Sequence, residues 1–104
     1  MEKYFDKLVR DNIPEIIREN GQEAVYRILD DKEYIERLNQ KLLEEVNEYI
    51  ELNCLNEICD ILEVLEALCE AMGISQEDLK LTKSKKAAKN GVFKKRILLE
   101  KVIT

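Results

Sequence analysis

The sequence predicts a mainly α protein, an antiparallel helix bundle carrying one small two-stranded β element. Three observations support this. There are only three Gly and one Pro in 104 residues, so few positions are obliged to break a helix. Apolar residues recur at three- and four-residue steps through two long stretches, residues 32–52 and 55–72. Between them lie turn and cap residues where helices start and stop.

The elements follow in chain order. Residues 4–12 lead into a short helix, Ile13-Pro14-Glu15-Ile16-Ile17-Arg18-Glu19, with Pro14 in the first turn, where a missing N–H costs nothing. Asn20-Gly21 stops it. Ala24-Val25-Tyr26-Arg27-Ile28-Leu29 alternates and carries β-branched and aromatic residues, which predicts a strand over 24–29. Asp30 or Asp31 caps a helix from Lys32 to Leu52, whose apolar stripe is Ile35, Leu38, Leu42, Val46 and Tyr49. Asn53 and Cys54 make a tight connection to a second long helix, Leu55 to Met72, ended by Gly73. Ser75-Gln76-Glu77-Asp78 resembles a capping box and opens a helix reaching Lys89, closed by Asn90-Gly91. Residues 96–103 predict a second strand, paired with the first and packed on the helices, since two strands do not stand alone. No linker or repeat divides the chain, so residues 1–104 are expected to form one domain. A core this small favours completion by a second copy.

Composition removes several function classes. With no His, neither a Ser-His-Asp triad nor a His-based zinc site can be built. Cys54, Cys59 and Cys69 include no CxxC pair and read as small hydrophobes. No apolar run approaches the roughly eighteen residues of a membrane span and no signal peptide is visible, so the cytoplasm is the default compartment. The net charge of −5 hides an asymmetry: nine basic residues and one acid lie between Lys80 and Lys101. The basic residues lack interleaved aromatics, which argues against direct nucleic-acid binding. An acidic middle and a basic end suit a metal-chelated polyanion.

The acids themselves carry the most information. On the Leu55–Met72 helix, Ile58, Ile61, Leu62, Val64, Leu65, Leu68, Cys69 and Met72 fill one broad face, while Glu63, Glu66 and Glu70 lie opposite. Glu57 falls inside the apolar face and Asp60 at its margin. A carboxylate there needs a cation, a hydrogen-bond network or a raised pKa. On the preceding helix Glu45 borders the apolar stripe, Glu48 follows one turn on, and Glu44 stacks behind Glu48 at a repulsive i, i+4 spacing. Antiparallel packing brings both groups towards one level of the bundle. Magnesium is the expected occupant, with manganese as a substitute, because both are hard ions that take carboxylate oxygen. The plainer alternative is pairing with lysines, Lys41 on Glu44 or Glu45 first among them.

The pattern Glu44-Glu45-x-x-Glu48 followed by Glu57-x-x-Asp60 resembles the EExxE…ExxD signature of the all-α nucleoside triphosphate pyrophosphohydrolases, which include MazG-like and phosphoribosyl-ATP pyrophosphohydrolase enzymes. Lys7-Leu8-Val9-Arg10-Asp11-Asn12-Ile13-Pro14 resembles the KLVRDKIP opening of one branch, with Asn12 where Lys is usual. Gly91-Val92-Phe93 before Lys94-Lys95-Arg96 resembles its ending. The resemblance implies a helical homodimer that splits a nucleotide between its α and β phosphates. It implies Glu45, Glu48, Glu57 and Asp60 as metal ligands, and Glu44 as a ligand or the group that orients or deprotonates water. Lys7, Arg10, Lys83, Lys86 and Arg96 are the candidates for phosphate contacts, from motif and charge together. The altered opening favours non-standard nucleoside triphosphates over phosphoribosyl-ATP as substrate. From a different class, the same acids could serve a non-catalytic module that binds ions or a basic partner.

Overall fold

The computed structural model describes residues 1–104 and contains four helices: α1 (Ile13–Glu19), α2 (Asp31–Leu52), α3 (Leu55–Ala71) and α4 (Gln76–Asn90). Each boundary lies within a residue or two of its sequence signal. The Asp30 side chain accepts the Glu33 N–H at 2.8 Å and starts α2. Ser75 accepts the Asp78 N–H at 3.0 Å and starts α4. Asn53 ends α2 in the left-handed region (φ 48°), donating its N–H to the Tyr49 carbonyl, so that the chain reverses within two residues. Asn suits that position because its short polar side chain tolerates the conformation.

The chain divides into two units. Met1–Gly73 holds α1, α2 and α3, and Ile74–Thr104 holds α4 and the residues after it. The first has 19 acidic and 8 basic side chains, the second 3 and 9. Packing in the first unit centres on the α2–α3 hairpin, where Leu38 on α2 meets Val64 and Leu68 on α3. Leu8, Tyr34, Leu42, Ala67 and Ala71 pack around this small core. In the second unit α4 buries no residue.

The two-stranded element is absent. Residues 24–29 and 96–103 have no strand geometry, and the one backbone hydrogen bond they make is a local turn, from the Arg96 N–H to the Phe93 carbonyl. Alternating side chains describe only the faces of a segment, whereas a strand also needs a neighbour about 4.8 Å away. Neither segment has one, and Val25 (92% exposed) and Ile28 project into solvent. The fold is therefore all α. What ties residues 22–29 to α2 is ionic: Arg27 grips both oxygens of Glu33 at 2.9 and 2.6 Å.

The broad apolar face expected of α3 separates into two. Ile61, Val64, Ala67, Leu68 and Ala71 turn towards α2 or are half-buried. Leu55, Ile58, Leu62 and Leu65 lie exposed, and with Cys69 and Met72 they recur at alternating steps of three and four residues. That is the spacing of a coiled-coil seam.

Two outcomes test this packing. Leu38→Ala, at the most buried position (3% exposed), should destabilise the protein by about 2–5 kcal/mol in chemical denaturation. The Glu33 carboxyl is held below its ordinary pKa, chiefly by its hydrogen bonds with Arg27. Its stabilisation is therefore present above the unfolded carboxylate pKa and lost as pH falls through the depressed folded value. Glu33→Gln should flatten the acid limb of the stability–pH curve.

Candidate metal centre

The short Asn53–Cys54 connection sets the site, because it aligns the last turns of α2 with the first turns of α3. Glu45 comes from α2, Glu57 and Asp60 from α3. One carboxylate oxygen of each lies within 4.8 Å of the others. Oxygens on one magnesium ion stand about 2.9 Å apart when adjacent and about 4.2 Å when opposite, so ångström-scale side-chain closure would let the triad share one divalent ion.

Glu45 is the most buried of the three at 6% exposure. Its Oε1 is 3.3 Å from Lys41 Nζ, one turn back on α2, but its Oε2 is buried with no hydrogen-bond partner. Glu57 Oε2 is in the same condition. A buried acceptor left unsatisfied costs about 1–3 kcal/mol, and more when charged. Burial pushes the Glu45 carboxyl above its ordinary pKa; the Lys41 hydrogen bond opposes this, and the charges of Glu48 and Asp60 reinforce it. Three converging carboxylates, two of them with a buried oxygen unpartnered, form a set that a hard dication would complete.

Residues 6–10 run across this site as a strap. Arg37 on α2 donates to the Asp6 carbonyl at 3.1 Å, and the Leu8 side chain enters the core. Between and beyond these anchors, Lys7 pairs with Glu44 at 2.9 Å and Arg10 with Asp60 at 2.7 Å. The Lys7 hydrogen bond holds Glu44 below its ordinary pKa, so Glu44 is ionised and weakly basic. Both ion pairs are substantially exposed, and such pairs contribute only about 0–1 kcal/mol each.

The five acids singled out from the sequence thus divide. Glu45, Glu57 and Asp60 converge. Glu48 is half-buried and near enough to act electrostatically on Glu45. Glu44 lies outside the triad, paired with a lysine as the plainer alternative anticipated, though with Lys7 and not Lys41. Lys7 and Arg10 face these carboxylates. Lys83 and Lys86 on α4, and Arg96 beyond it, belong to the second unit and form no ion pair. The role of the strap was not visible in the sequence, because it depends on contacts between residues 37 and 50 positions apart.

Comparison with known proteins adds little to the geometry. No family model matches the chain, and no solved structure matches it. A protein of Mycolicibacterium smegmatis, described as uncharacterized, is 55% identical over 42 residues, which is 40% of this chain and 43% of that protein. The chain therefore spans less than half the length of the curated relative it matches. No helix is long and apolar enough to cross a membrane. What stands is an all-α chain whose acidic triad can chelate a divalent ion.

Proposed function

We propose that the protein is a magnesium-dependent nucleotide pyrophosphohydrolase, cleaving a non-standard nucleoside triphosphate between its α and β phosphates into a monophosphate and pyrophosphate. The observation that carries the metal-dependent part is the pair of buried, unpartnered oxygens on Glu45 and Glu57 beside Asp60. The reaction is supported by the resemblance of the acidic pattern, the opening and the ending to the all-α nucleoside triphosphate pyrophosphohydrolases.

In this reading Glu45, Glu57 and Asp60 hold the ion, and Glu48 joins them directly or through water. Bound magnesium supplies charge neutralisation at phosphate oxygens and a lowered pKa for water. Phosphoryl chemistry then depends on positioning and electrostatics, for which no His or Cys is needed. Glu44 orients the attacking water. Lys7 and Arg10, on the strap, and Lys83, Lys86 and Arg96, in the second unit, are the phosphate-binding candidates.

The active species is a homodimer. The stripe of exposed Leu55, Ile58, Leu62, Leu65 and Met72 with half-buried Cys69 is self-complementary in spacing and runs the length of α3, about 26 Å. A monomer would leave that seam in water beside a core of three buried hydrophobic residues.

Pyrophosphate release should require magnesium, or manganese in its place, across a panel of triphosphates that includes phosphoribosyl-ATP. Release from phosphoribosyl-ATP alone would transfer the assignment to that substrate, and no release from any would leave an ion-binding module. Glu57→Gln and Glu45→Gln should each weaken metal binding by more than the roughly 10–100-fold typical of outer-shell partners. The metal-free variants should melt at or above the wild-type temperature, because a buried charge has been removed; loss of folding would instead mark a structural ion pair. Sedimentation should show a dimer that Leu62→Glu converts to monomer with its helix content retained.

A further inference from the structure

We propose that Lys7, Arg10 and Lys41 are exchangeable counter-ions. They hold the carboxylates while no metal is bound, and turn to the phosphate oxygens of an anionic ligand when a divalent ion neutralises the cluster. The inference rests on the metal reading above and adds an order to it, since the ion creates the anion subsite.

Three observations carry it. First, each cation is engaged by a carboxylate of the cluster: Lys7 by Glu44 at 2.9 Å, Arg10 by Asp60 at 2.7 Å and Lys41 by Glu45 at 3.3 Å. A phosphate oxygen must compete with those acids for each cation while the acids lack another partner. Second, the satisfaction is incomplete. Glu45 is 6% exposed and its Oε2 has no hydrogen-bond donor, and neither has the buried Oε2 of Glu57. The three cations leave Glu44, Glu45, Glu48, Glu57 and Asp60 with an excess of two negative charges, so the cluster still attracts a divalent ion. Third, the cations can move. Lys7 and Arg10 are more than half exposed, and Lys7, Arg37 and Lys41 line one shallow depression beside Glu44. A compact dication outcompetes a mobile ammonium or guanidinium for clustered carboxylates, and the released side chains then border an open surface with no acid holding them. Arg10 can present a bidentate fork to phosphate, while Lys7 and Lys41 act as point charges.

This exchange predicts effects of opposite sign on the two ligands. Arg10→Gln and Lys41→Gln remove competitors of the metal, so manganese affinity, read by calorimetry on the full chain, should rise about 3–10-fold. In wild type, manganese and inorganic pyrophosphate should each raise the other's affinity by at least about fivefold, after correction for their complex in solution. In the Arg10→Gln/Lys41→Gln variant that coupling should be smaller than in wild type, and Arg10→Lys should restore part of it. Circular dichroism establishes that each variant is folded; the Arg10–Asp60 pair is exposed, and Gln at position 41 keeps a hydrogen-bond donor beside the buried Glu45. Weaker manganese binding by the variants would overturn the proposal, making Arg10 and Lys41 orienting partners of the ligands. Tighter manganese binding with unchanged pyrophosphate coupling would overturn it as well. Absence of manganese binding to wild type would instead remove the metal reading on which it rests.

Discussion

The burial of Glu45 against Glu57 and Asp60 is the constraint around which the first unit is arranged. A carboxylate that is nearly inaccessible, with one oxygen unpartnered, works against folding, and its raised pKa expresses the same strain electrostatically. The hairpin accommodates it because the Leu38–Val64–Leu68 contact lies further along the same helices and fixes their register. Sliding either helix by one residue would remove the apolar contact and scatter the carboxylates together. Core and site are therefore set by one packing.

The strap over the site gives this arrangement its electrostatic balance. Lys7 and Arg10 come from a segment without regular secondary structure, yet both reach carboxylates on different helices. Arg37 and Leu8 hold the segment in place, one by hydrogen bonding and one by burial. Cations placed over acids in this way lower the repulsion among five clustered carboxylates without removing the divalent ion's advantage. Exposed pairs are weak, and two buried oxygens remain unserved.

Much of the unit's apolar surface is still in water. The seam on α3 is the clearest case, because its heptad spacing is a property of a helix that packs on both sides. The second unit shows a different economy: α4 buries nothing, and its cap and Lys-rich face are those of a helix in contact with solvent or with a charged partner.

The sequence by itself determined the helices. Asp30, Asn53, Ser75 and Gly91 act through bonds to residues three or four positions away, so their effect is legible locally. It also determined that Glu45, Glu57 and Asp60 sit where a structural acid should not, since helical periodicity alone assigns their faces. Tertiary structure decided the rest. It made Glu45 the deepest of the acids although Glu57 lies more centrally on its wheel. It split the apolar face of α3 between the core and an exposed seam, a division that depends on where one neighbour lies and that periodicity does not contain. It left residues 24–29 and 96–103 unpaired, because a strand requires a partner and alternation supplies only a pattern. And it turned Lys7 and Arg10 onto carboxylates on distant helices, since the partner of a charge is set by what the fold brings near it.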